Sequence, residues 1–298
     1  MNNARAAVLA LATSLILAPS ARAGALDLYY ERALMVDAGA RCGLFAPDVA
    51  AALAAAQVQA RGASLRAGTG EAALARTAQD AKSRAAATPC ASAELRLAAG
   101  RVRKAFEGYG RLLRMDFPGE IAGWNADRDL PMRTPVWRLS QSAPFGAAGL
   151  RFGLAGRWGD PQALIAVSDV GDDDPPYAAR LVIRDTARAP GPYLNQVRAG
   201  STAKLPLGAR TAPRWASLVF AAEARGPAEA SLAPSGARSA VAFRFPAAAT
   251  DAIAQLDPRE AITVELLYAG QPRDVARQSF IEVGDFAAGR AFLAATKR

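Results

Sequence analysis

Hydrophobic and polar positions follow two different rhythms along this chain, and the change between them falls near residue 116. Up to that point apolar residues recur at intervals of three and four, the spacing of one helix face. ALDLYYERALMVDAG (25–39) predicts a first helix, with Gly39 near its end suited to a C-terminal cap. APDVAAALAAAQVQARGASLRAG (46–68) predicts a second, with Pro47 at the start position and Asp48 beside the positive helix end. TGEAALARTAQDAKSRAAAT (69–88) predicts a third, weakly amphipathic helix. A fourth, from Ser92 to about Met115, carries one stripe of Leu95, Ala99, Val102, Phe106, Tyr109 and Leu113. A stripe of that kind reads as core, and the four segments together predict a helical bundle.

From about residue 134 the pattern turns to short runs bounded by Gly, Pro and Asp. GLRFGLAG, ALIAVSDV, AARLVIRD, WASLVFAAEA, SAVAFRFP, AITVELLY and RQSFIEV are the expected strands. In SAVAFRFP, Val241, Phe243 and Phe245 share one face while Arg244 takes the other. Two short helices, AAATDAIAQL and DFAAGRAFLAAT, interrupt the series. The expected class is therefore α+β: an N-terminal helical bundle (24–115), a connector (116–133), and an antiparallel β-sandwich or partly open barrel with short helices (134–298).

Within the last part, FRFP (243–246), a helix ending in AIAQL, the strand ITVELLY and then FIEVGDFAAGRAFL follow one another in a fixed hydrophobic rhythm. That ending resembles the invasion-associated locus B family of exported bacterial β-sandwich proteins. The resemblance covers about 55 residues at the C-terminal end and implies a sandwich and export. The N-terminal helical part has no counterpart in that family, and no site residue is carried over.

The N-terminus has the layout of a secretory signal peptide. MNNAR is a basic start, AAVLALATSLILA an apolar run, and PSARA a small-residue cleavage pattern, with the break expected between Ala23 and Gly24. The apolar run is about 13 residues, short of the roughly 20 needed to span a bilayer. The residue directly after the expected cut is Gly24 and not a cysteine, so no lipoprotein anchor is expected, and no later segment is long and apolar enough to cross a membrane. Residues 1–23 are thus expected to be removed, leaving a periplasmic or secreted bacterial protein without a transmembrane segment.

Export bears on the two cysteines, Cys42 and Cys90. In an oxidising compartment such a pair reads as a disulfide. A closed zinc site needs four ligands, and the chain contains no histidine at all. The two are also too far apart for a C-x-x-C redox pair. Metal and cofactor are not expected.

Missing histidine also excludes Ser-His-Asp and Cys-His chemistry. STAK (201–204) spells S-x-x-K, but Ser168-Asp169 precedes it and no K-T-G exists, so the penicillin-binding pattern is incomplete. GTGEAA (68–73) matches G-x-G-x-x-A without a preceding strand. Asp172, Asp173 and Asp174 read as a solvated turn, since three adjacent acids point apart and no later Glu completes a calcium loop.

Composition adds two points. Hydrophobic residues make up 51% of the chain, enough for a sizeable core. The formal charge of +9, or +7 without Arg5 and Arg22, favours anionic partners such as lipid head groups or acidic polymers. Nucleic acid is not expected among them. Two candidate sites follow. The first is a groove at the junction, with Asp116, Trp124, Asp127, Asp129 and Trp137 offering aromatic platforms and carboxylates. The second is an anion-binding face of the fourth helix, formed by Arg96, Arg103, Arg111 and Arg114. With no complete catalytic set, the chain reads as a non-catalytic envelope protein that binds or scaffolds a macromolecular partner, an envelope protein or an anionic polymer. The alternatives are a carboxylate-dependent hydrolase of a cell-wall or extracellular polymer and a binder of lipid or lipopolysaccharide surfaces.

Overall fold

Four helices open the fold: α1 (Ala25–Cys42), α2 (Pro47–Arg66), α3 (Glu71–Ala87) and α4 (Ala93–Ala105). They belong to a computed structural model that describes residues 24–145, 149–170, 174–194, 205–270 and 272–294. The leader 1–23, the S-x-x-K stretch at 201–204, and Asp172 and Asp173 lie outside the described residues. Among those residues no helix is long and apolar enough to cross a membrane.

Small side chains let α1, α2 and α3 approach closely. Ala33, Ala38, Ala52, Ala60, Ala81 and Ala85 are all buried, and Leu65 and Leu74 fill the space among them with Tyr29. Gly39 is not the cap of α1. Its chain continues helically to Cys42, and Gly43, at φ +62°, takes the left-handed cap position and donates its N–H to the Gly39 carbonyl. Gly39 is instead a packing residue, since a Cβ there would lie 2.6 Å from the Phe45 ring. A disulfide joins Cys42, the last residue of α1, to Cys90 just before α4.

The fourth helix is shorter than its stripe. Phe106 is its C-cap, Gly108 turns with φ +85°, and Tyr109–Arg111 forms one 3₁₀ turn. Two glycines in EGYG stop the helix although the apolar spacing runs on. Phe106 and Tyr109 then pack edge to face at 6.0 Å, and the chain enters β1 (Arg114–Phe117).

Two antiparallel sheets follow. The larger has seven strands in the order β1-β2-β3-β4-β5-β9-β8. Its strands are β1, β2 (Trp124–Asp127), β3 (Val136–Ala143), β4 (Leu150–Gly156), β5 (Ala163–Asp169), β9 (Ala240–Phe245) and β8 (Ala224–Pro227). The smaller has four in the order β11-β10-β6-β7: β11 (Val275–Glu282), β10 (Ala261–Tyr268), β6 (Ala178–Arg184) and β7 (Ser217–Ala221). What reads as a connector is therefore part of the sheet. β1 and β2 pair from Arg114↔Asp127 to Phe117↔Trp124, and β2 continues onto β3.

One core is shared by both sheets and by the helices α5 (Ala247–Ala254) and α6 (Phe286–Ala294). Trp124, Phe152, Phe243 and Phe245 meet Phe286, Phe292, Ile262 and Val264 in it. Strand alternation delivers this: Leu164 and Ala166 of β5 face the main core, while Ile165 and Val167 face a smaller cluster on the other side of the large sheet. A bulge at Trp137/Leu139 is matched on β4 by Gly153, where any Cβ would lie 1.9 Å from the Leu139 carbonyl oxygen.

The helices dock on this core through α2 and α6. Arg66 of α2 grips Asp285, at the start of α6, with Nη1 2.7 Å from Oδ1 and Nη2 3.2 Å from Oδ2. Gly62 gives the carboxylate room, as a Cβ there would stand 2.9 Å from Oδ1.

Candidate functional site

The junction residues do not form a groove. Trp124 is fully buried against Phe286 at 5.0 Å and donates Nε1–H to the carbonyls of Glu282 and Val283. Trp137 is buried on the opposite face of the large sheet and donates to the Leu232 carbonyl at 3.0 Å. Indoles of this size contribute more as core than as exposed platforms. Asp116 accepts from Asn125, and Asp127 accepts from Arg114 at 2.8 Å and from the Asp129 N–H. These carboxylates thus hold the β1–β2 hairpin and its exit.

The four arginines do not share a face either. Arg96 and Arg103 lie exposed on α4, Arg111 belongs to the 3₁₀ turn, and Arg114 is on β1 with its charge engaged by Asp127. Arg103 also reaches back to the Leu44 carbonyl at 3.1 Å. The early stop of α4 separates the set.

The β unit has a dense array of buried charge, most of it paired internally; Arg138, fully enclosed, is the exception, its Nε and Nη1 having no hydrogen-bond partner among the described residues. The Glu282 carboxylate accepts the backbone N–H groups of Glu120, Ile121 and Ala122 at 2.7–2.8 Å. Gly119 makes this loop possible, because a Cβ there would fall 2.0 Å from the Ala122 oxygen. Arg210, fully buried, donates to Glu120 at 2.6 Å, and Arg184 pairs with Glu260 at 2.7 Å. Arg128 places its guanidinium 3.6 Å from the Phe292 ring centre and donates to the carbonyls of Phe292, Tyr109 and Leu112. These groups close the ends of β strands, the turn and α6. They build structure.

Open space lies instead in the helical layer. On α1, Leu28, Glu31, Arg32 and Met35 fall at i, i+3, i+4 and i+7, and on α4, Ala98, Arg101, Val102 and Ala105 fall at the same spacing. The two stripes face each other across a cleft of about 460 Å³, floored by Leu53 of α2. A second cavity of about 400 Å³ continues it past the end of α4, where Ala56, Tyr109, Met115 and Phe117 line the walls. Arg32, Ala105 and Phe106 line both. The space exists because α4 packs on the other helices through Leu95 and Ala99 near its start, close to the disulfide. From α2, Ala55, Ala56 and Gln59 line the floor toward its other end.

Arg32 is the one charged group set inside this apolar space. It is half-buried and donates Nη1–H to the Ala56 carbonyl at 2.6 Å. Among the described residues no carboxylate pairs with it; Glu31 and Glu107 stand on the exposed rims. Burial pushes its guanidinium below the ordinary arginine range, with neighbouring Glu31 opposing. An arginine so placed still carries its charge. No group of three or more His, Cys, Asp or Glu suited to a metal ion occurs among the described residues.

Sequence reasoning did not find this cleft. Its walls come from three helices and a turn, and Arg32 is one of 32 arginines in the chain. The one local signal was polar Arg32 inside the apolar spacing of Leu28 and Met35. Comparison of the chain with family models, with curated proteins and with solved structures finds no match.

Proposed function

We propose that the protein is an exported, non-catalytic envelope protein whose working surface is the cleft between α1 and α4. The observation that carries this reading is an open apolar cleft with a half-buried arginine that has no acidic partner. Ligand sites are concave, mainly apolar and oriented by a few polar groups, in a size range of roughly 300–1,000 Å³. Both connected cavities fall in that range. The β unit is the rigid support, with its ion pairs closed on themselves. Export is favoured by the leader pattern of residues 1–23 and by the Cys42–Cys90 bridge, which belongs to an oxidising compartment. N-terminal sequencing of the exported protein should begin at Gly24.

An uncharged apolar dye tests the cleft itself. Nile red should bind the chain at a single saturable site, and Ala105→Trp should abolish that binding. Ala105 is exposed and lines both cavities, so the indole fills the cleft without entering the core. Saturable binding that survives Ala105→Trp with an unchanged melting curve would defeat the cleft as the working surface.

A further inference from the structure

Resting on the cleft as a binding site, we propose that its ligand is a free long-chain fatty acid, its acyl chain lying between α1 and α4 and its carboxylate held by Arg32. The proposal stands on charge complementarity. Arg32 gives one hydrogen bond to Ala56, and its remaining N–H groups have no partner among the described residues and open onto the cleft. A guanidinium presents paired N–H groups in a planar fork that matches a carboxylate, and the match strengthens where water is partly excluded. One cation inside the cleft suits one negative charge. The other arginine of the lining, Arg101, is exposed on the rim.

The shape of the space agrees with one chain. From Arg32 the cleft runs between Leu28, Leu34, Met35 and Leu53 on one side and Ala98 and Val102 on the other. Tyr30, Glu31 and Arg101 complete the lining, with Glu31 and Arg101 exposed at its rims, and the aliphatic stretch between them suits a run of methylenes. A free fatty acid satisfies both ends at once: the head meets the half-buried cation of the cleft, and the tail meets its aliphatic walls.

Displacement of Nile red from the full mature chain at neutral pH by decanoate, dodecanoate and dodecan-1-ol tests the proposal. Dodecanoate should bind about 15-fold tighter than decanoate, following roughly fourfold for each of the two added methylenes. It should also bind about 10- to 100-fold tighter than dodecan-1-ol, as expected for a charge-assisted hydrogen bond in a half-buried site. Arg32→Met should remove the preference for the acid over the alcohol, and Arg32→Lys should keep part of it. Equal displacement by alcohol and acid, or unchanged dodecanoate affinity in a folded Arg32→Met chain, overturns the fatty-acid proposal and leaves the cleft standing. If no probe binds saturably, both readings fail. Should Arg32→Met fail to fold, the acid-against-alcohol comparison on the unaltered chain decides alone.

Discussion

The helical layer and the β unit are built from different materials. The buried face of α1, α2 and α3 is largely alanine, whereas the β core is filled by Trp124, Phe152, Phe243, Phe245, Phe286 and Phe292. Each alanine brings a methyl group to its neighbours, while an aromatic ring removes 150–250 Å² from water. The β unit also encloses Arg184–Glu260 and Arg210–Glu120 and the wrapped Glu282. The helical layer has a disulfide and one ion pair to the β unit in their place. Thin packing leaves space, and the cleft is that space. The contrast teaches that the part with the weaker core is the part that keeps open space.

The largest expected effect breaks the covalent half of that contrast. The Cys42–Cys90 bridge closes a separation of 48 residues, for which chain entropy gives about 4 kcal/mol. Cys42→Ser with Cys90→Ser should lower the stability of the helical layer by up to that amount. Hydrogen exchange should then show amides of α1 to α4 losing protection while β3, β4, β5 and β10 keep theirs. Equal loss in both regions would mean that they unfold as one unit and that the contrast has no energetic meaning.

The next effect attacks the other side. Glu282→Ala removes the acceptor of three backbone N–H groups in the 119–122 loop. Burying such donors unpaired costs about 1–3 kcal/mol each, so a loss of about 3 kcal/mol or more is expected in denaturant unfolding. The change should fall on the β unit, and Nile red affinity in the cleft should hardly move while the protein stays folded. A weakened cleft at unchanged stability would show that the loop, through β1 and Phe117, positions the site directly.

How much of this was legible in the sequence depends on how local each signal was. The helices α1, α2 and α3 and the strands β4, β5, β6, β9, β10 and β11 announce themselves by period. β3 does not, because its buried positions include Arg138, Ser140 and Gln141, which break the apolar alternation. α4 was read too long because Phe106, Tyr109 and Leu113 keep helical spacing while two glycines end the helix. Trp124 and Trp137 looked like an exposed pair because carboxylates surround them in sequence. In space those acids bind Arg114, Asn125 and backbone, and the rings turn inward to opposite faces. The cleft depends on where α4 crosses α1, which no window of sequence contains.

A smaller effect lies on the joint between the two regions. Arg66→Ala leaves the Asp285 carboxylate, nearly buried at the start of α6, without its ion pair. About 2 kcal/mol is expected, below the range for a fully buried pair because Arg66 is partly exposed. The loss should shrink as salt rises, because screening weakens the ion pair that only the unaltered protein has. Thermal melting at low and high salt measures this. If the two regions are coupled mainly through α2 and α6, the variant should also separate a single melting transition into two, with the helical layer first.

The smallest effect concerns α4 alone and links stability to the cleft. Ser92 is the N-cap of α4, its Oγ accepting the Leu95 N–H at 3.2 Å. Losing that acceptor in Ser92→Ala costs about 1 kcal/mol. In the β unit a change of that size would be absorbed by the surrounding core. In α4 it acts on a helix held mainly through Leu95, Ala99, the partly buried Val102 and the nearby disulfide, so opening of the helix should become roughly fivefold more frequent. Hydrogen exchange should show this in residues 93–105 and nowhere in α2 or the sheets. Since α4 is one wall of the cleft, a binding state that requires it closed should lose Nile red affinity by a similar factor. Faster exchange in α4 without weaker binding would mean that the floor on α2 and the α1 face hold the ligand, with α4 as a passive rim.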